Sequence, residues 1–173
     1  MEVDLRQENK DDYPAVFELN KAAFGQDNEA RLVDLLRKSA AFIPELSLVA
    51  TIDGQVTGHI LFSKIKIRES IGKETESLAL APMAVTPQFQ NQGIGAKLIR
   101  FGLKKATELG YESVIVLGHQ YYYPKFGFFP ANKWNINAPF DVPENVFMAI
   151  ELVKDGLKNV TGTVQYAAEF EMV

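Results

Sequence analysis

The run LALAPMAV, Leu78 to Val85, leads through Thr86-Pro87 into QFQNQGIG, then into AKLIRFGLKKATELG and the short apolar run ESVIVLG. This succession constrains the fold more than any other part of the chain. Leu98, Phe101 or Leu103, and Ala106 recur at helical spacing, and Gly110 stands where a helix C-cap favours a residue with positive φ. The order is therefore strand, glycine-containing loop, helix, strand. A helix that begins directly after a strand presents unpaired N–H groups and partial positive charge at its first turn. Gly93 and Gly95 there would let a phosphate group approach the backbone. The same two glycines suit a turn that packs helix against strand. Two nucleotide motifs are excluded by residue identity. A dinucleotide fingerprint needs a third glycine where Leu98 stands, and a P-loop needs Gly-Lys-Ser/Thr where the chain has Gly95-Ala96-Lys97.

Around this centre the pattern is mixed. Glu2 to Arg6 reads as a first strand, and NKDDYPAVFELNKAAF as a helix with Asp11 or Asp12 as N-cap and Val16, Leu19 and Ala23 on one face. NEARLVDLLRKSA gives a second helix through Leu32, Leu35 and Leu36. LSLVATIDGQVTGHILFSKIKI reads as two strands joined at Asp53-Gly54, a dipeptide suited to a tight hairpin turn. Lys64, Lys66 and Arg68 alternate as the exposed face of the second of these strands. A short helix in YYYPKFGF and two strands, in NVFMAIELV and GTVQYAAEFEMV, complete the order.

At 173 residues the chain is expected to form one domain, residues 1–173. A net charge of −4 offers no global attraction to nucleic acid or to an anionic membrane surface, so an anionic ligand must be held by local geometry. With no cysteine, thiolate metal sites and a cysteine nucleophile are excluded, and His59 and His119 lack zinc-site spacing. No metal is expected. The start, MEVDLRQENKDD, is too charged for a signal peptide and no apolar run is long enough to span a bilayer, so a cytoplasmic location is expected.

The spacing Gln90-x-x-Gly93-x-Gly95, preceded by Val85-Thr86-Pro87, resembles the pyrophosphate-binding motif of the GCN5-related N-acetyltransferases (GNAT). In that family the next strand is followed by Tyr-x-Lys/Arg-x-Gly-Phe, matched here by Tyr123-Pro124-Lys125-Phe126-Gly127-Phe128. VTGHILFS, VLGHQYYYPKFGFFPA and PFDVPENVFMAIEL further resemble the YhbS-type branch of predicted acetyltransferases. His119-Gln120 replaces the usual Asp-Pro of that branch, and Lys125 its usual Arg.

The resemblance implies an α/β (α+β) fold: a mixed, mostly antiparallel sheet of six to seven strands, flanked by about four helices, with a splay between strands 4 and 5. It implies acetyl-coenzyme A (acetyl-CoA) as acetyl donor and a primary amine of a small molecule or protein as acceptor, reacting by direct attack in a ternary complex. Main-chain groups of Met83 and Val85 would pair with the pantetheine amides, and the amide of Ala84 or Val85 would polarise the acetyl carbonyl. Backbone N–H groups of Asn91, Gln92, Gly93, Ile94, Gly95 and Ala96 would take the pyrophosphate, with Gln90 shaping the loop. Tyr123 is the candidate general acid, a phenol that ordinarily titrates at about 10 and donates its proton as charge develops on sulfur. Tyr121 and Tyr122 are read as packing or substrate-wall residues.

The base that neutralises the amine is open among His59, His119, Glu29 and a water chain, since LALAPMAV contains no acid. The alternative is a non-catalytic acyl-CoA-binding module with the same fold. A monomer or homodimer is expected, with no nucleic-acid or membrane partner.

Overall fold

The computed structural model describes residues 1–173. In chain order its elements are β1 (Asp4–Gln7), α1 (Tyr13–Phe24), α2 (Asn28–Arg37), β2 (Ser47–Ile52), β3 (Gln55–Arg68), β4 (Glu74–Val85), α3 (Ile94–Glu108), β5 (Ser113–Leu117), β6 (Phe129–Pro130), β7 (Ile136–Asn137), β8 (Phe147–Glu151) and β9 (Gly162–Gln165). The strands hydrogen-bond in the order β1-β2-β3-β4-β5-β8-β6, and β9 pairs with both β3 and β7. The sheet is mostly antiparallel, with parallel pairing at β4–β5 and β7–β9. It is the mixed sheet expected from the sequence.

Three details differ from expectation. There are nine strands rather than six to seven, the additional ones being the two-residue β6 and β7. Three α-helices form rather than about four, because the aromatic segment closes as a four-residue 3-10 turn, Tyr123–Phe126. Pro124 occupies its first turn, where no N–H is needed, and Gly127 ends it in the left-handed region at φ 103°. At the start of α1, Asp12 stands at the N-cap position, as expected, but its side chain makes no bond to that helix; its carboxylate accepts the Asn9 N–H at 2.8 Å. Asn9 instead caps a preceding 3-10 turn, while the Asp12 carboxylate receives Arg6 at 2.6 and 2.9 Å.

By its internal contacts the chain divides into two units: residues 1–63, 81–105 and 168–173, and residues 64–80 and 106–167. β3, β4 and α3 contribute residues to both. In the first unit the β2–β3 hairpin turns at Asp53 (φ 50°) and Gly54 (φ 76°), the pair of left-handed residues that a two-residue turn requires. The helix α3 meets β3 at Gly102, where an added Cβ would fall 2.2 Å from Cε1 of the fully buried Phe62. Only a residue without a side chain permits that approach. In the second unit, Leu78 and Ala79 of β4 pair with Val114 and Ile115 of β5. Strand β8 lies against β5 from Ser113↔Glu151 to Leu117↔Phe147. No helix is long and apolar enough to cross a membrane.

Candidate active site

The glycine segment lies in the first unit and is shaped by local bonds. After β4 ends at Val85, the Thr86 N–H donates to the Thr57 carbonyl at 2.8 Å, fixing the exit of the strand. The Gln90 side-chain amide then reaches back to the Val85 carbonyl at 3.0 Å, and that of Gln92 to the Gln88 carbonyl at 3.3 Å. Asn91 (φ 63°) and Gly93 (φ 85°) turn the chain through the left-handed region. The N–H groups of Asn91, Gln92 and Gly93 make no backbone bond, and those of Ile94, Gly95 and Ala96 form the first turn of α3, where a helix supplies no acceptor. An added Cβ at Gly93 would meet nothing within 4 Å, so the space beside that residue is open. Ile94, Leu98 and Ile99 are buried beneath it. Unpaired donors on an anchored helix start fit a pyrophosphate group. In the strand leading to the loop, Ala84 is buried and Met83 and Val85 are half-buried.

Tyr123 lies in the second unit, in a turn closed by the Tyr122 and Tyr123 N–H groups on the His119 carbonyl, at 3.1 and 3.4 Å. Its ring is buried, edge-on to Tyr122 at 5.2 Å and to Phe128 at 5.6 Å. The phenol oxygen has no hydrogen-bond partner in the protein and is not among the sealed unpartnered atoms, so the tip of the ring reaches the surface. Burial, and after it the neighbouring Tyr122, pushes its pKa up to about 12, above the ordinary phenol value expected from the sequence. Tyr121 is exposed and Tyr122 half-buried, with the Lys125 ammonium 5.3 Å from the Tyr122 ring centre.

The three base candidates occupy different surroundings. His119 is exposed and shares the turn with Tyr123. Glu29, at the start of α2, accepts from the Gln26 amide at 3.0 and 3.2 Å. His59 is fully buried, with Nε2 3.0 Å from Ser47 Oγ and 3.5 Å from Glu8 Oε1, and with Nδ1 unpartnered. A proton on Nε2 leaves only a bare lone pair at Nδ1, whereas the other tautomer would bury an unbonded N–H. Glu8 is gripped by Arg37 at 2.9 and 2.8 Å, and Arg37 also binds Asp34 and lies 3.7 Å from the centre of the Tyr13 ring. Nothing local in the sequence joins Glu8, Arg37, Ser47 and His59, and sequence reasoning missed the group.

This network predicts how stability depends on pH. Burial alone would raise the Glu8 pKa, but hydrogen bonds from His59 and Arg37 outweigh it and bring the value down to about 2. Burial lowers His59 against the opposing pull of Glu8. Both folded values lie below those of the unfolded chain, which therefore binds more protons, so stability rises with pH. The His59 contribution is present above its ordinary value of 6.5 and is lost as pH falls from there. The Glu8 contribution is present above 4.5 and is lost toward about 2. The thermal midpoint should fall from pH 7.5 to 5.5 and more steeply below 4.5; a midpoint unchanged down to pH 5 would contradict the neutral assignment of His59.

Beyond the aromatic turn, Phe147 and Met148 are core, Val146 is half-buried, and the exposed Phe140 stacks on Tyr166 at 6.2 Å. A basin of about 960 Å³ in the second unit is bordered by Arg68, Ile71, Asn135, Asn137 and Gln165, and none of the candidate residues lines it. No group of three or more His, Asp or Glu side chains is placed to hold a metal ion.

Residues 6–128 match the acetyltransferase (GNAT) family. The chain belongs to the GNAT family. It is 38% identical to the uncharacterized N-acetyltransferase YjhQ of Escherichia coli over 137 residues, covering 79% of this chain and 75% of YjhQ. It is 34% identical to the uncharacterized N-acetyltransferase YhbS of Escherichia coli over 167 residues, covering 96% and 97%. The crystal structure of Escherichia coli YhbS in complex with CoA superposes with a TM-score of 0.90 at 33% identity, over 98% of this chain and 92% of that one. A GNAT acetyltransferase from Brucella melitensis in complex with acetyl-CoA gives 0.79 at 33% identity, over 98% of each chain. The family match in this GNAT chain contains both the glycine loop and the Tyr123 turn.

Proposed function

We propose that residues 1–173 act as one N-acetyltransferase domain, transferring the acetyl group of acetyl-CoA to a primary amine of a small molecule or protein by direct attack in a ternary complex. The observation that carries this reading is the glycine loop, whose N–H groups from Asn91 to Ala96 lack backbone acceptors at the start of a helix anchored by buried Ile94, Leu98 and Ile99, with open space beside Gly93. Support comes from YhbS, crystallised with CoA, and from the Brucella melitensis protein, crystallised with acetyl-CoA. Acetyl-CoA supplies the thioester whose carbonyl carbon the amine attacks.

Each group of the chain has a role in this reaction. The loop amides hold the pyrophosphate, and Gln90, through its bond to Val85, keeps the loop bent. Main-chain groups of Met83 and Val85 pair with the pantetheine amides, and the N–H of Ala84 or Val85 donates to the acetyl oxygen as it gains charge. Tyr123 keeps its proton across the physiological range and offers its O–H to the departing sulfur. His119 is the base, directly or through water, because it is exposed and shares the turn with Tyr123. The protein works in the cytoplasm as a monomer or homodimer, without a nucleic-acid or membrane partner.

The sealed surroundings of His59 and the engagement of Glu29 with Gln26 favour a second reading, an acyl-CoA-binding module that performs no transfer. Two measurements separate these readings. Acetyl-CoA, but neither ATP nor NAD, should raise the thermal midpoint, the stabilisation reaching about 2.7 kcal/mol at a ligand concentration one hundred times Kd. Release of free CoA thiol in the presence of a panel of amines then distinguishes enzyme from module. No shift with acetyl-CoA sinks both readings, and a shift without thiol release for any amine leaves the module.

A further inference from the structure

We propose that Gly118 is a positioning residue for catalysis, the seat that holds the Tyr123 phenol in register with the leaving sulfur; this rests on the donor role of Tyr123 proposed above. The backbone of Gly118 lies outside the left-handed region, so the path of the chain does not itself demand glycine. Space does. An added Cβ would fall 2.3 Å from Cε2, 2.8 Å from Cδ2 and 3.2 Å from Cζ of Tyr123, so the phenol edge lies directly across the Gly118 Cα.

Neither side can yield cheaply. The Gly118 N–H donates to the Val146 carbonyl at 2.9 Å, just beyond β5. The Tyr123 ring is held by Tyr122 and Phe128, and its backbone by the His119 carbonyl. A methyl group at Gly118 would have to displace the ring by about 1 Å to restore ordinary contact at 3.4 Å. Displacement of a reacting group by that amount costs on the order of a hundredfold in rate.

The test compares Gly118→Ala, Tyr123→Phe and the double variant. Gly118→Ala should lower kcat by about a hundredfold with KM for acetyl-CoA unchanged. The double variant should be no slower than Tyr123→Phe alone, because the methyl group acts through a hydroxyl that is already gone. Wild-type kcat in Gly118→Ala beside a damaged Tyr123→Phe, or fully additive losses in the double variant, overturns the positioning role while leaving the donor role intact. Full turnover in Tyr123→Phe overturns both.

A stability cycle reads the steric contact without any activity. Gly118→Ala should lower the thermal midpoint in the parent and have no effect in a Tyr123→Ala background, where the ring has been removed. It remains informative if Gly118→Ala alone fails to fold, since Tyr123→Ala should then restore folding. An equal loss in both backgrounds overturns the seat.

Discussion

Gly93→Glu should weaken binding of acetyl-CoA by more than about a hundredfold while leaving the protein folded. The left-handed backbone at Gly93, φ 85°, makes any side chain there unfavourable by about 1 kcal/mol, equivalent to a loss of about 2–4 °C in the midpoint of a chain of this size. There is no steric cost to add, since a Cβ at this position meets nothing within 4 Å. The effect on binding is of another order. In the proposed site, a carboxylate in the loop would compete for the N–H groups that take the pyrophosphate and repel its charge, so affinity should fall by more than about a hundredfold, some 2.7 kcal/mol. Gly93→Ala is the control, carrying the same backbone strain and a methyl group without charge, and should lose less affinity than Gly93→Glu. Calorimetry with acetyl-CoA, together with circular dichroism, decides the matter. Normal affinity in folded Gly93→Glu would remove the pyrophosphate from this loop.

Tyr123→Phe should lower kcat by about a hundredfold with acetyl-CoA affinity and thermal midpoint unchanged, the loss expected when a donor positioned for the leaving group is removed. The substitution keeps the ring and its edge-on contacts with Tyr122 and Phe128. It deletes an oxygen that bonds to nothing in the protein and reaches the surface, so no internal interaction is broken. Because the phenol titrates at about 12, Tyr123 should cause no loss of activity as pH is raised to 10. Unchanged turnover in Tyr123→Phe would dismiss the donor role, and a parallel loss of acetyl-CoA affinity would reassign the hydroxyl to binding.

Both candidate segments were legible in the sequence because each is contiguous. The strand, the bent loop and the start of α3 are encoded by residues within a short span, and so is the aromatic turn after β5. The hairpin at Asp53-Gly54 was legible for the same reason, since positive φ at two adjacent positions is a local demand. What escaped depends on contacts between distant residues. Glu8 follows β1, Arg37 ends α2, Ser47 opens β2 and His59 lies within β3, so their meeting has no periodicity to reveal it. Asp12 occupies the N-cap position its type suits, but its carboxylate accepts two charged hydrogen bonds from Arg6 in place of one from the helix. β6 and β7 are too short for alternation to register. Gly118 passed unnoticed since only the folded position of the Tyr123 ring explains why no side chain fits there.

The anchoring of α3 bears on the kinetics of recognition. Ile94, Leu98 and Ile99 fix the first turns of the helix from below, while Gln90 pins the loop from the side. In the proposed pyrophosphate site the donors are thus preorganised before a ligand arrives, and little conformational entropy of the loop would remain to be lost on complexation. Encounter should therefore be limited by diffusion and orientation rather than by loop folding, and differences in affinity among acyl-CoA analogues should be expressed mainly in their residence times.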